Sequence, residues 1–259
     1  MRQLKELETV LRDCIKPVTS PIAVRLSKNE EIPAACKHPA DKFGYAVALC
    51  QGFGLARRYG WSMAFDIHDM ACGPSLSYFG FVEIPDFEKE GGLVHPMYAK
   101  TPEAGRRSEN IIDKLPAGSV ETILIAPLER VQFSPDLIVV YGNAAQMARL
   151  TQGALYCQGG GIETVVAGRC ACTAAIIAPY KKGDYNLILP DGGERIFALT
   201  QDDEMAFTIP FAKVPDLIEG IVATHQSGVA RYPYPVYGLR GEPKFPERYQ
   251  EIVNLARKK

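Results

Sequence analysis

The chain opens with apolar residues at three- and four-residue steps: Leu4, Leu7, Val10, Leu11 and Ile15. This spacing places them on one face of a helix, which we expect to end before Pro17. Further along, short runs rich in β-branched and aromatic residues are bounded by turn residues, as is typical of strands. The predicted strands cover residues 22–26, 120–126, 137–141, 185–189, 195–199 and 205–209.

Other stretches indicate helices between these strands. Thr101, Pro102 and Glu103 form a helix start, with a capping hydroxyl, a proline in the first turn and an acid near the positive end of the helix dipole. Asn143 is a good cap for a second helix. The predicted helices cover residues 42–49, 101–115, 143–156, 215–225 and a segment from about 245. With no linker composition between them, these elements predict one α+β domain.

Two segments about a hundred residues apart share a short motif. Residues 50–52 and 157–159 are both Cys-Gln-Gly. The first motif is followed by Cys72 and the second by Cys170 and Cys172, in each case among small residues. We therefore expect two diverged, fused repeats, about 18–100 and 132–212, that share a mixed sheet with flanking helices. A C-terminal extension would cover about 227–259. A pseudo-twofold axis between the repeats would bring distant thiols together.

Composition and charge limit the classes of function that we expect for this chain. The 259 residues include 29 basic and 30 acidic side chains, a formal net charge of −1, so no net field favours nucleic acid or anionic lipid. The N-terminus lacks the features of a signal peptide, and no apolar run reaches the roughly 20 residues that span a bilayer, so we expect a cytoplasmic protein. Seven cysteines, an odd number without a dense framework, are more typical of buried, metal-binding or catalytic thiols than of disulfides.

Several motifs together resemble those of the DUF169 family of bacterial and archaeal proteins, over roughly residues 18–222. They are the segments at 20–24, 50–51, 72–74, 125–128, 135–137, 142–143, 168–172, 179–180, 202–205 and 209–211. The resemblance implies a cytoplasmic protein common in anaerobes, of unestablished function, with recognisable thiols at Cys50, Cys72 and Cys172. It also implies a cysteine in the turn at 190–193, which this chain lacks. A set of four thiolates would therefore recruit Cys157 or Cys170.

The leading hypothesis is an iron–sulfur cluster of the 4Fe–4S type, because thiolates stabilise iron in both oxidation states. Backbone near Gly73 and the guanidinium of Arg169 are candidate contacts to this cofactor. The protein would act in anaerobic redox metabolism, by electron transfer or by catalysis at an iron left open by three cysteines. Zinc is an alternative, although the close-spaced cysteine pairs of structural zinc sites are absent from the sequence. Thiols that are simply buried remain a third interpretation.

Two other classes of function stay open. A metal-free cysteine enzyme acting on a small molecule would use Cys72 as nucleophile and His68 as base, four residues apart beside two aspartates. Cys50, expected at the end of a helix, would have its thiolate disfavoured by the dipole. A small-anion binding module would instead use the glycine-rich turns and Arg169. The candidate partners are a redox partner protein or a small-molecule substrate, and a homo-oligomer is left open.

Overall fold

The fold was analysed in a computed structural model that describes residues 2–228, 230–234 and 245–258. Its centre is one six-stranded sheet in the order β2-β3-β1-β4-β6-β5. The strands are β1 (Ile22–Ser27), β2 (Met63–Phe65), β3 (Thr122–Pro127), β4 (Leu137–Gly142), β5 (Asn186–Ile188) and β6 (Met205–Pro210). Every pair of neighbouring strands is antiparallel. The α+β class is confirmed, whereas the mixed sheet is wrong, because β1 and β2, which run in the same direction, are separated by β3.

Helices cover both faces of this sheet. Those in the described residues are α1 (Arg2–Val10), α2 (Pro39–Phe43), α3 (Leu49–Tyr59), α4 (Gly73–Tyr78), α5 (Asp86–Lys89), α6 (Pro102–Asn110), α7 (Ala144–Leu155), α8 (Ala171–Lys182), α9 (Gly192–Phe197), α10 (Val214–Gln226) and α11 (Glu247–Arg257). Within this part of the chain, none combines the length and apolarity needed to cross a bilayer.

Alternate residues of the central strands supply two separate cores. On β1, Val24 belongs to a core with α3, α4 and α8, whereas Ala23 belongs to a core with α1, α7 and α10. Because both faces are covered, the strands read as continuous apolar runs instead of alternating ones. The sheet is thus the middle layer of three, and the layer that contains α3 and α8 carries the cysteine-rich segments.

The two halves of the sheet have the same internal arrangement. From the central β1–β4 contact outward, each half has a long strand and then a three-residue edge strand. The strand registers also correspond. Ile22 pairs with Pro127 in the first half as Leu137 pairs with Pro210 in the second. Likewise, Met63 pairs with Ile125 in the first half as Asn186 pairs with Thr208 in the second. Each half therefore presents its elements in the same order about an approximate twofold axis between β1 and β4. Duplication of the sequence itself stays a prediction.

Most predicted elements are confirmed, and two are wrong. The expected helix at 42–49 is replaced by α2 and by α3, which begins at Leu49 and continues through Gly52 and Gly54. Those glycines do not end the helix, because they give close packing against Phe65 and the backbone of Ala198. The expected strand at 195–199 is the end of α9 followed by a turn. The helix at 101–115 is shorter, as α6 ends at Asn110.

Candidate functional site

A cavity of about 490 Å³ lies where the N-terminal ends of α3, α4, α8 and α9 approach one another. Four of the seven cysteines line it: Cys50, Cys72, Cys170 and Cys172. Two come from the first half of the chain and two from the second. The fold therefore places thiols from both halves of the chain around one cavity, although Cys157 of the second motif is not among them.

Each of these cysteines lies at the start of a helix. Cys50 is the second residue of α3 and Cys172 the second residue of α8, while Cys72 and Cys170 directly precede α4 and α8. The expectation that Cys50 lies at the C-terminal end of a helix is wrong, because α3 begins only at Leu49. The positive ends of the longer helices α3 and α8 thus face the cavity, where they favour negative charge.

Three of these thiols nevertheless hold their protons in the absence of a cation. Burial raises the pKa of Cys170 to about 12, and neighbouring acidic groups also raise it, although Arg169 acts in the opposite direction. Burial likewise raises the pKa of Cys50 and of Cys172 well above the usual range of a thiol. Such thiols are poor nucleophiles at neutral pH. A bound metal would reverse this preference, because it deprotonates the thiols that ligate it.

The spacing of the cysteine sulfurs distinguishes a site for a single zinc ion from a site for a multinuclear iron–sulfur cluster. Among the described residues, no three cysteine sulfurs lie within 4.8 Å of one another. Four thiolates on a single zinc ion would be about 3.8 Å apart, since each Zn–S bond is about 2.3 Å. The arrangement therefore does not fit a single zinc ion. A multinuclear cluster, in which each thiolate binds a different iron, needs a wider spacing.

A buried carboxyl group forms part of the cavity wall. Glu194, on α9, is 1% exposed, and its Oε2 accepts a hydrogen bond from the hydroxyl of Tyr141 at 3.0 Å. Its Oε1 has no hydrogen-bond partner among the described residues. Burial raises the pKa of Glu194 to about 7, although the Tyr141 hydrogen bond and Arg57 oppose this shift. The guanidinium of Arg57 lies 4.2 Å from the centre of the Tyr141 ring and pairs with Glu204.

Arg169 lines the cavity, but its guanidinium already has partners. It donates to Glu109 Oε2 at 3.1 Å and to the Tyr78 hydroxyl at 2.7 Å, and Lys114 lies 3.0 Å from the other oxygen of Glu109. The thiols therefore face charges of both signs: Arg169 lowers the pKa of Cys170, whereas Asp191 and Glu109 raise it. Gly73 begins α4 next to Cys72, and a Cβ at that position would meet nothing within 4 Å.

Two other predicted site residues lie outside the cavity lining. Cys157 follows the end of α7 and is exposed, with its thiol 3.7 Å from the carbonyl oxygen of Asp216. The Cys-Gln-Gly motifs are therefore not in equivalent places, because Cys50 begins a helix and Cys157 follows one. His68 is exposed in a turn, where its backbone N–H donates to Asp66. The structure thus does not bring His68 to the cavity that Cys72 lines.

A different histidine meets the aspartates near Cys72. His38 Nδ1 lies 2.6 Å from Asp69 Oδ2, and ligand atoms of His38, Asp66 and Asp69 all lie within 4.8 Å of one another. Asp69 also accepts backbone N–H groups of Ala40 and Asp66, at 2.9 and 3.0 Å. These bonds fasten the turn that leads to Cys72 onto the segment before α3, and the three side chains also lie close enough together to hold one metal ion.

Sequence reasoning missed Glu194 and Tyr141, and it interpreted Asp191 only as part of a turn. Asp191 caps α9, with its side chain accepting from the backbone N–H of Glu194 at 3.0 Å. An acid at the cap followed three residues later by glutamate is a known helix start. That pattern was the available signal for α9, and it would have placed Glu194 at the cavity.

Comparison with known proteins identifies the family. The profile of DUF169, described as "Uncharacterised ArCR, COG2043", matches residues 10–220. The chain belongs to this family, as its motifs indicated. It is also 31% identical over 204 residues to the uncharacterized protein MJ0308 of Methanocaldococcus jannaschii. The aligned residues make up 77% of this chain and 85% of that protein. No solved structure matches significantly.

Proposed function

We propose that this protein binds an iron–sulfur cluster in the cysteine-lined cavity and acts in redox metabolism. Cys50, Cys72 and Cys172 are the proposed core ligands, and Cys170 is the remaining thiol of the cavity wall. The observation that carries the proposal is the meeting of four thiols from both halves of the chain at one cavity. Random burial of cysteine as a small apolar residue does not require such a meeting.

The chemistry of the wall supports an anionic cofactor. Thiolates and sulfide bring negative charge, which the N-terminal ends of α3 and α8 stabilise. The guanidinium of Arg169 adds a positive charge to the wall, and it is paired with Glu109. Hydrogen bonds from backbone N–H groups at helix starts tune the potentials of iron–sulfur clusters in general. These features would hold a cluster and raise its reduction potential.

The mouth of the cavity supports redox chemistry at a sheltered site. Met97, Tyr98 and Phe197 line it and are 74%, 66% and 50% exposed. Apolar side chains at the mouth limit access of water to a bound cluster, which also affects its potential. They leave an opening through which a small substrate can enter or electrons can pass. Electron transfer and catalysis at an open iron are both compatible with this arrangement.

A metal-free cysteine enzyme has less support. Such an enzyme needs a thiolate at neutral pH, and Cys50, Cys170 and Cys172 do not supply one, because burial raises the pKa of each. The predicted base, His68, is exposed and does not line the cavity. The test below therefore includes a thiol-labelling outcome that would favour this alternative.

The experiment compares cysteine variants purified without oxygen and reconstituted with iron and sulfide. Cys72→Ser and Cys172→Ser are expected to lose most of the bound iron and the visible absorbance. Cys14→Ser and Cys157→Ser are matched controls, since they remove thiols outside the cavity lining and should retain both. Iron binding that survives both cavity substitutions would contradict the proposal. So would an iron-free wild-type protein in which one cavity thiol reacts rapidly with iodoacetamide.

A further inference from the structure

Another cavity lies at the opposite end of α3 from the thiols, and we call it the Trp61 pocket. Its volume is about 500 Å³, and its lining includes Lys37, Lys42, Trp61 and Arg130. Trp61 lies just past the C-terminal end of α3, whereas Cys50 is the second residue of that helix. Because an α-helix of 11 residues is about 16 Å long, the Trp61 pocket is separate from the cysteine-lined cavity.

Three cationic side chains surround the Trp61 pocket, and each is held in place by a neutral group. Arg130 and Lys37 each donate to a backbone carbonyl oxygen, at 3.1 and 2.8 Å. Lys42 Nζ lies 4.7 Å from the centre of the Trp61 ring, in a cation–π contact. All three side chains are exposed, so a ligand in solvent can reach them. The contacts hold the positive charges at the pocket without neutralising them.

The described parts of the chain supply no counter-charge for these cations. The lining of the Trp61 pocket contains no aspartate or glutamate, and none of the three cations forms an ion pair with a carboxylate of the described residues. The nearest acids in the sequence do not line the pocket, since Glu129 accepts from the Ser20 hydroxyl and Asp41 lines a neighbouring hollow. The pocket therefore presents positive charge that an anionic ligand can neutralise.

The rest of the wall limits the class of that ligand. Trp61 is half-buried, and its ring stacks on that of Phe43 with 5.6 Å between the ring centroids, so the exposed part of the indole forms a fixed apolar wall. Ser62 and Gln132 add a hydroxyl and an amide group. The volume of about 500 Å³ is typical of small-molecule sites and exceeds the needs of an inorganic anion. A fitting ligand therefore combines an anionic group with a ring or another apolar part.

We propose that the Trp61 pocket binds a small organic phosphate, with its phosphate group among the three cations and its apolar part against the indole of Trp61. A phosphate monoester carries about two negative charges near neutral pH, about twice the charge of a carboxylate, so it matches three cations better. The planar guanidinium of Arg130 also suits phosphate oxygens. This site is distinct from the cysteine-lined cavity, and its ligand binds whether or not a cluster is present.

The test uses Trp61 as its reporter, because it is the one tryptophan of the sequence. Phenyl phosphate is titrated into the full-length protein, with binding measured by calorimetry and its location by tryptophan fluorescence. The comparison probes are inorganic phosphate, which lacks the ring, phenol, which lacks the charge, and benzoate, which carries a carboxylate instead. Phenyl phosphate is expected to bind saturably, to change the fluorescence of Trp61 and to bind at least about tenfold more tightly than each comparison probe.

Variants of the cations locate the site. Lys37→Gln, Lys42→Gln and Arg130→Gln each remove one charge from an exposed side chain, and each should weaken binding of phenyl phosphate by about tenfold. Lys5→Gln is the matched control, because it removes an exposed charge on α1 outside the pocket and should bind as wild type does. The proposal is overturned if phenyl phosphate does not bind, if it binds without changing the fluorescence of Trp61, or if the three pocket variants keep wild-type affinity. A comparison probe that binds as tightly as phenyl phosphate overturns it as well.

Discussion

Replacing Glu194 with glutamine is expected to remove a pH dependence of stability. The folded protein holds the Glu194 proton up to a pKa of about 7, because the carboxyl is buried. An unfolded glutamate has a pKa of about 4.3. Between these values the unfolded chain releases a proton that the folded chain retains, so the free energy of unfolding falls as pH rises.

The magnitude follows from the difference in pKa. One unit corresponds to about 1.4 kcal/mol, so Glu194 lowers the free energy of unfolding by about 3 to 4 kcal/mol between pH 4 and pH 8. Glutamine has the same shape, accepts the Tyr141 hydrogen bond and carries no proton to lose. The Glu194→Gln variant should therefore be the more stable protein at pH 8, and the difference should shrink toward pH 4.

Urea unfolding of metal-free, reduced protein at pH 5 and pH 8 measures this effect. All other carboxyl groups titrate in both proteins, so they cancel in the difference between variant and wild type. Glu247→Gln is the matched control, because Glu247 is exposed on α11 and its removal should leave the pH dependence unchanged. Parallel pH profiles for wild type and Glu194→Gln would refute the assignment of a buried, protonated carboxyl.

Three further substitutions test packing and electrostatics by urea unfolding. Glu204→Ala should lower the free energy of unfolding by about 3 to 5 kcal/mol, because it removes the carboxylate that lies 2.8 Å from the buried guanidinium of Arg57. A decrease below about 1 kcal/mol would contradict this prediction. Gly220→Ala should cost about 1 to 3 kcal/mol, since a Cβ there would lie 2.8 Å from a backbone carbonyl carbon of α7, whereas Gly161→Ala meets nothing and should be neutral. Asp69→Asn should cost about 1 to 3 kcal/mol at pH 7. Burial opposes ionisation of Asp69, but bonds from backbone N–H groups and His38 outweigh it and lower its pKa. The difference from wild type should therefore begin to shrink as pH falls below about 4 and vanish only below the lowered pKa of Asp69.

The fold was predictable where local pattern and burial agree. The strands at 22–26, 137–141 and 205–209 are apolar runs, and they form the buried centre of the sheet. The segment at 195–199 misled the prediction because Ile196 and Phe197 are apolar yet 71% and 50% exposed near the cavity mouth. Their placement follows from the cap at Asp191, which outweighs the β-type composition of the segment.

The site was predictable in its thiols but not in their arrangement. The sequence predicted that thiols of both halves lie near one another, and four of them line one cavity, but Cys157 of the second motif is not among them. Only the fold places Cys170 at the cavity wall and leaves Cys157 exposed. The start of α3 was also beyond local reasoning, because Gly52 and Gly54 end helices in many sequences and here allow tertiary contacts.

The measurement that tests the central claim most directly is the iron and sulfide content of wild-type protein purified without oxygen. The account predicts about four irons and four sulfides per chain and a visible absorbance that dithionite bleaches. A colourless protein that remains free of iron after anaerobic reconstitution would contradict it.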